Sequence, residues 1–362
     1  MKKEPSRSNA ALNENEASPT EAERLLASAG LRAAAEAGDL DAMREFVAQG
    51  AREVPDSHGE TALMLAAHNG HAKCARELLP LSDANARSGR FNNHTPLMMA
   101  AAEGHLDCVR ILAPKTQPAA RDKTGGSALS MAAMFGYPEI VKALLPFSDA
   151  RQKDHSGCSA LWWATTSEDD NTECIEVLIP VSDVNESTRD KDFPLGTAAA
   201  NGNSGIVKAL LAAGADALKV DADGNSALMK AILTGHVDAA RALLAVSDFS
   251  QRTHKSGLTP LILAAMQSDP IFVDLILPFS DSRARSHLGF TAFEQAVRCE
   301  CWNCADRLWG GEPEEKTQAA FEKAGGKKMP RWAAAIEARE LSEEIGATKN
   351  SGFMPRKTPR AL

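Results

Sequence analysis

One short pattern recurs eight times along the chain, at intervals of 32 to 34 residues. In this pattern a small hydroxyl residue, or its substitute, is followed by Ala or Pro and then by Leu or Phe. The pattern begins at Thr61, Thr95, Ser127, Ser159, Phe193, Ser226, Thr259 and Thr291. A period of this size is typical of a linear stack of small units rather than of one closed core. Such a stack favours a role in surface recognition over a role in catalysis.

Composition narrows the class of protein. The 362 residues are 44% hydrophobic but only 5% aromatic, so small aliphatic side chains must form most of the core. A formal net charge of -8 argues against a nucleic-acid partner, because phosphate binding requires an excess of Lys and Arg. The start lacks the apolar run of a secretory signal, and no segment reaches the roughly 18 apolar residues of a membrane span. We expect a soluble, monomeric protein of the cytoplasm that does not insert into membranes.

Each unit reads as two short helices and a polar connector. Residues 61–71 predict a first helix that ends at Gly70, because glycine adopts the left-handed conformation needed at a helix exit. A second helix follows at once and must stop at Pro80, which has no N–H to continue it. The polar residues that follow, up to Thr95, predict an extended or hairpin-like connector.

This unit resembles the ankyrin repeat. Thr95-Pro96-Leu97 and Thr259-Pro260-Leu261 match the opening of that repeat. Its Gly-His turn is matched at Gly70-His71, Gly104-His105 and Gly235-His236, and its helix ending at residues 210–216. The resemblance implies an all-α solenoid of helix-turn-helix units with short hairpin-like connectors. It also implies a protein partner, bound through the concave face of the stack.

Two features depart from the family pattern. The His that usually closes the Thr-Pro-Leu-His motif is absent from all eight repeats, as Met64 and Met98 illustrate. We therefore expect a hydrogen-bonded link between repeats to be missing and apolar packing to replace it. Many second helices also end in Leu-Pro-x-Ser-Asp where the family prefers Gly-Ala-Asp, an ending that looks like ankyrin proteins of bacteria.

The pattern divides the chain into five segments. We expect disorder in 1–20, an N-terminal helix and capping repeat in 21–60, eight repeats in 61–309, a helical cap in 310–346 and a basic disordered tail in 347–362. A capping box at Thr20 predicts a short extra helix ahead of the incomplete repeat that starts at Leu31. The helices after residue 310 either cover the last repeat or bind a partner.

The cysteines suggest a metal or redox site at first sight. Cys299, Cys301 and Cys304 lie within six residues, but no second pair of ligands accompanies them. Four cysteines share one position in the second helices, where a free Cys packs as a small apolar residue: Cys74, Cys108, Cys174 and Cys304. We expect no metal, no cofactor and no catalytic residue, and greater reactivity at Cys158, Cys299 and Cys301 than at these four.

The connectors carry cations that could face an acidic partner. The candidates for this basic ladder are Arg87, Arg121, Lys123, Arg151, Lys153, Arg283 and Arg285. Aspartates such as Asp122 and Asp154 are interleaved with them, so the cations can equally belong to ordinary solvated loops of mixed charge.

Large apolar residues at variable positions form a second candidate surface. This apolar strip comprises Phe91, Met134, Phe135, Leu233 and Met266, together with the polar residue His94 from the connector that carries Phe91. Exposed aromatic and Met side chains on a concave face are typical of interface hot spots. Trp162 and Trp163 lie between them along the chain, but we expect both to pack between repeats.

Three functions remain open from the sequence. The first is a non-enzymatic scaffold that binds a protein through the apolar strip. The second is a bacterial effector delivered into a host cell, which would use the same repeats on a host protein. The third, an enzyme that uses the Cys299 cluster, has no phosphate-binding glycine loop and no His-Glu-x-x-His motif to support it.

Overall fold

The computed structural model describes residues 21–167, 171–267 and 269–309, which group into two units, Met1–Lys123 and Thr124–Leu362. The described part of the first unit contains α1 (Glu21–Ala37), α2 (Leu40–Ala48), α3 (Ala62–His68), α4 (Ala72–Leu78), α5 (Pro96–Ala102) and α6 (Leu106–Leu112). In the second unit, α7 (Ala128–Met134), α8 (Pro138–Leu144), α9 (Ala160–Ala164), α10 (Thr172–Leu178), α11 (Pro194–Ala200) and α12 (Ser204–Ala212) come first. They are followed by α13 (Ala227–Thr234), α14 (Val237–Leu243), α15 (Pro260–Met266), α16 (Ile271–Ile276), α17 (Ala292–Arg298) and α18 (Trp302–Leu308).

The fold is all-α, as the sequence predicts. Each of the eight pattern starts lies directly before the first helix of a pair. Over the described ranges no β-strand forms, and the hairpin-like character of the connectors is limited to two isolated bridges, Ser88 with His94 and Val220 with Ser226. Within each unit, every first helix packs on the first helix of the next pair, and every second helix on the next second helix.

Side-chain caps start the first helices. The Thr61 hydroxyl accepts a hydrogen bond from the backbone N–H of Met64 at 3.2 Å, which satisfies a donor that has no partner within the helix. Phe193 is the exception, because its ring cannot accept such a bond. That ring instead fills the space above Gly196, where a Cβ atom would lie 2.8 Å from the Phe193 Cζ. In most other repeats this position holds a larger side chain such as Met229.

Proline ends the second helices as predicted, but through a turn of 3-10 helix. Such turns cover Leu79–Leu81, Ala113–Lys115, Leu145–Phe147, Ile179–Val181 and Leu277–Phe279. The serine that follows can close the helix, since the Ser82 hydroxyl donates to the Leu78 carbonyl at 2.7 Å. Ser280 makes the same bond to Ile276 at 2.9 Å. The serine of this signature therefore caps the second helix in these two repeats, whereas the Ser148 and Ser182 hydroxyls are buried without a hydrogen-bond partner.

The N-terminal helix differs from the prediction. A single helix, α1, runs for 17 residues from Glu21 to Ala37, so the separate extra helix expected before Leu31 is wrong. The chain has no glycine or proline between Glu21 and Ala29 to interrupt the helix. Gly30 lies within it, against the ring of Phe46. The predictions for 1–20, 310–346 and 347–362, and the cap at Thr20, fall outside the described residues.

The burial of the cysteines confirms that four of them share a core position, and it corrects the prediction for Cys158. Cys74, Cys108, Cys174 and Cys304 are all buried. Cys158, which was expected to be reactive, is only 4% exposed, and burial raises the pKa of its thiol to about 12, with Asp154 and Glu186 adding to the effect. The thiolate is the reactive form, so Cys158 belongs with the inert cysteines. Cys299 is exposed and Cys301 is partly exposed.

Hydrogen bonds link neighbouring repeats, contrary to the expectation that packing alone would do so. Several of them come from the residue just before a second helix. In the first unit the Nε2 atoms of His71 and His105 lie 3.0 Å and 2.8 Å from carbonyl oxygens of the preceding pair. In the second unit the Asn171 amide donates to the Ala133 carbonyl at 2.7 Å. These groups satisfy carbonyls left without partners where a first helix ends.

Candidate functional site

The second unit places four residues of the apolar strip on its surface. Met134 is the last residue of α7, Phe135 follows it, Leu233 lies in the last turn of α13, and Met266 ends α15. Their exposed fractions are 37%, 51%, 46% and 39%, in the order Met134, Phe135, Leu233 and Met266. The helix residues around them are buried, so these side chains lie outside the core.

Three of the four residues share one register, and the fourth is adjacent to it. Met134, Leu233 and Met266 each stand seven residues after the residue that starts their repeat, and Phe135 stands eight after it. The same position holds Thr166 and Ala200 in the two intervening repeats, so the apolar surface is interrupted there. Helices α13 and α15 pack directly on one another, which keeps Leu233 and Met266 on neighbouring helices.

The first unit holds the other two members of the strip, in its longest connector. Phe91 is half-buried, and its ring centre lies 5.5 Å from that of His68. His94 is more enclosed, with its Nε2 atom 3.4 Å from Asp122 Oδ2. Burial lowers the pKa of His94, and the Asp122 carboxylate offsets this only in part. His94 thus contributes to the folding of the connector, and its role in binding stays a prediction.

The two tryptophans are half-buried rather than enclosed between repeats. Their rings meet edge to face with centres 5.2 Å apart. The Trp163 indole N–H donates to Asp154 Oδ2 at 2.9 Å, which fixes the ring against the connector before α9. Part of each ring therefore remains available at the surface, at positions in α9 between α7 and α11.

Several cations of the basic ladder hold neighbouring connectors together. The Arg87 guanidinium donates to the Arg121 carbonyl in the first unit. In the second unit the Lys153 ammonium donates to the Ser187 carbonyl at 3.1 Å and pairs with Glu186 at 3.2 Å. Arg285 pairs with Glu294 at 3.1 Å, close to the start of α17. Sequence reasoning missed this structural role, although the recurrence of a cation about six residues before the capping residue could have indicated it.

The basic ladder also contains Arg151, Lys123 and Arg283. Arg151 donates to the Val181 carbonyl at 3.4 Å, and the Lys123 backbone N–H donates to the Asn92 carbonyl at 2.9 Å. Arg283 is exposed beside the Asp281 turn. Contact of the ladder with an acidic partner stays a prediction.

A second row of exposed apolar residues was not predicted from the sequence. In the second unit this turn stripe consists of Phe147, Val181, Val246 and Phe279, each the last residue of a 3-10 turn and each 40–56% exposed. The signal was present in the sequence, because an apolar residue directly follows the helix-ending proline in several repeats. Phe279 also stacks on Phe249, with ring centres 5.3 Å apart.

A cavity of the second unit is lined mainly by polar and charged residues, and its buried carboxylate, Glu186, already has partners. It has a volume of about 460 Å³ and lies beside Glu186. One oxygen of this buried carboxylate accepts the hydroxyl of Ser159, and the other pairs with Lys153. Both oxygens of Glu186 therefore have partners within the fold.

The part of the chain that the structure describes contains neither a cluster of metal ligands nor a membrane-spanning helix. No cluster of three or more His, Cys, Asp or Glu side chains there could hold a metal ion. Of the helices described, none is both long and apolar enough to cross a membrane. In the Cys299 region the thiols of Cys301 and Cys304 lie near different backbone carbonyls, those of Met266 and Gln267.

Comparison with known proteins agrees with this architecture. A family model described as "Ankyrin repeats (3 copies)" matches residues 31–122, 114–188 and 167–253. The crystal structure of the human ASB11 ankyrin repeat domain is similar with a TM-score of 0.54 and 24% identity, covering 60% of this chain and 97% of that one. The ankyrin repeat domain of Bcl-3, a member of the IkappaB family, gives a TM-score of 0.52 and 24% identity, covering 61% and 100%. A search of curated proteins gave no match. Since the family model covers more than half of the sequence, the chain belongs to the ankyrin-repeat proteins.

Proposed function

We propose that this chain is a non-enzymatic scaffold that binds a protein partner through the apolar strip. The observation that carries the proposal is the exposure of Met134, Leu233 and Met266 at one register of three repeats, with Phe135 exposed at the next position after Met134. The ankyrin repeat is a fold of protein-interaction domains, and the family match supports this class of function.

The surrounding structure favours tight contact at these residues. Each of the four lies at or near the end of a helix whose start is fixed by the fold, so the backbone is ordered before a partner arrives. A pre-ordered surface loses little conformational entropy on binding. Large apolar side chains that are partly exposed can then be covered by a partner, with a gain of roughly 25 cal/mol per Å² of apolar surface buried.

Delivery into a host cell, the alternative drawn from the sequence, would use the same strip. Nothing within the described ranges favours it over a scaffold in the cytoplasm, and both locations stay predictions.

The proposal is tested by comparing two fourfold variants of the full chain. One changes Met134, Phe135, Leu233 and Met266 to Ser, and its matched control changes Phe147, Val181, Val246 and Phe279 to Ser. We expect quantitative affinity capture to show that proteins retained by the wild type are lost with the strip variant and kept with the control. Circular dichroism should show the same helical signal for all three. Equal capture by the strip variant and the wild type would contradict the proposed surface.

A further inference from the structure

The first unit contains a cavity with a buried carboxylate that lacks a complete set of partners. The cavity has a volume of about 380 Å³ and is lined by parts of α1, α3, α5 and two connectors. Glu60 lies in its wall, with a side chain that is only 7% exposed. The Oε1 atom of Glu60 is shielded from solvent and has no hydrogen-bond partner. A buried charge without a donor is costly, so a donor that enters the cavity and reaches this carboxylate would be held strongly.

The nearest cation does not meet this need. Arg90 Nη1 lies 3.8 Å from the other oxygen, Oε2, which is beyond hydrogen-bond distance. The Arg90 side chain is 64% exposed, so its attraction to Glu60 is weakened by water. Arg90 therefore lines the cavity but leaves Glu60 Oε1 without a donor.

An aromatic surface lies beside the carboxylate. The rings of Phe91 and His68 are 5.5 Å apart, and the Arg90 guanidinium lies 5.6 Å from the centre of the Phe91 ring. Phe91 is carried by a connector that is two residues longer than the one before α9. Positive φ angles at Asn92 and Asn93, of 45° and 64°, turn this connector back. The added residues bring an aromatic face to the cavity.

The charge of the cavity is negative overall. Its wall contains the carboxylates of Glu36, Asp56 and Glu60 and the guanidinium groups of Arg32 and Arg90. Arg32 is already engaged, since its Nη1 atom donates to the Val54 carbonyl at 2.6 Å. Asp56 accepts backbone N–H groups from His58 and Glu60. Glu60 is thus the carboxylate with a buried acceptor to offer.

From this arrangement we infer that the cavity accepts the guanidinium group of an arginine side chain from the protein partner, with Glu60 as its acceptor and Phe91 as its stacking surface. A guanidinium donates two parallel N–H groups to a carboxylate and lies flat on an aromatic ring, whereas an ammonium is a compact point charge. The inference rests on the proposed function and names the partner's chemistry. His68, which lines the cavity, stands seven residues after Thr61 and so has the same position in its repeat as Met134 of the apolar strip.

The test uses the full chain and a blocked arginine, acetyl-arginine methylamide, as the probe. Titration followed by NMR should give saturable shifts at the amides of 60–68 and 88–94, with a Kd on the order of 1 mM for one side chain. Acetyl-citrulline methylamide, which has the same shape without the charge, should give no saturation. Nα-acetyl-lysine methylamide, which keeps its side-chain ammonium, should bind several times more weakly than the arginine probe.

Two variants should move the affinity in opposite directions. Glu60→Gln removes the charged acceptor and should weaken arginine binding about tenfold or more. Arg90→Ala removes the competing cation and should strengthen it by a few fold, at an exposed site where folding is not affected. Melting curves of both variants report whether the fold is intact. If Glu60→Gln is unstable, the arginine affinity of Arg90→Ala still tests the inference.

Either of two results would overturn the inference. One is equal binding of the arginine and citrulline probes, or none of either. The other is weaker arginine binding by Arg90→Ala. The two proposals can be told apart. If the wild-type chain does not bind the arginine probe but the strip variant still loses the protein partner, the arginine site is refuted and the proposed function stands.

Discussion

Replacing Gly196 by Met is expected to destabilise the protein by about 3 kcal/mol or more. A Cβ atom at this position would lie 2.8 Å from the Phe193 ring, and a full Met side chain cannot fit beside it. Phe193→Ser should also be costly, since truncation of a buried Phe removes about 3–5 kcal/mol. The Phe193 side chain is only 1% exposed, so its loss would leave a cavity in the core.

The double variant Phe193→Ser with Gly196→Met should recover most of the loss. It restores the arrangement of Ser226 and Met229, where the hydroxyl caps the helix and the Met side chain fills the core. We expect its free energy of unfolding to lie within about 1 kcal/mol of wild type, which makes the coupling between the two sites several kcal/mol. Urea denaturation of the four proteins measures this. Additive losses would show that the ring of Phe193 does not replace the missing side chain.

Asn171→Ala is expected to destabilise the second unit by about 3 kcal/mol. Asn171 is 4% exposed, and its amide donates to the carbonyls of Ala133 and Ala164 at 2.7 Å and 3.0 Å. Removal of the amide leaves buried acceptors with fewer donors, which costs roughly 1–3 kcal/mol for each group left unsatisfied. Hydrogen exchange should show the loss of protection centred on α9 and α10.

An exposed asparagine provides the matched control. Asn201 makes a single bond, to the Thr165 carbonyl at 3.1 Å, and its side chain lies at the surface. Asn201→Ala should cost less than about 1 kcal/mol, because water replaces the lost donor. Equal effects of the two variants would mean that the link made by Asn171 between repeats does not stabilise the unit.

The features that could be predicted from the sequence are those set within one repeat. Capping residues such as Thr61, helix exits such as Gly70 and the apolar position of Cys108 depend on neighbours a few residues away. A pattern of residue types at fixed spacing therefore reveals them. The period also places Met134 and Leu233 at matching surface positions.

The features that were missed depend on contacts between repeats or on a local insertion. The bonds from His71 and Asn171 join residues more than 30 positions apart, so no local pattern contains both partners. Cys158 is buried because its connector folds against the next one, which its polar neighbours do not indicate. The cavity at Glu60 has an aromatic wall because a longer connector carries Phe91 against His68 of α3.

The most direct test of the proposed binding surface compares two phenylalanines of one repeat. Phe135 belongs to the apolar strip and is 51% exposed, whereas Phe147 belongs to the turn stripe and is 44% exposed. Each is changed to Ala, and both the melting temperature and the Kd for a captured partner are measured. The proposed function predicts nearly unchanged melting for both variants. It also predicts binding weakened by about 2 kcal/mol for Phe135→Ala alone. A large loss of stability in Phe135→Ala with unchanged Kd would show that Phe135 is part of the core and that the partner binds elsewhere.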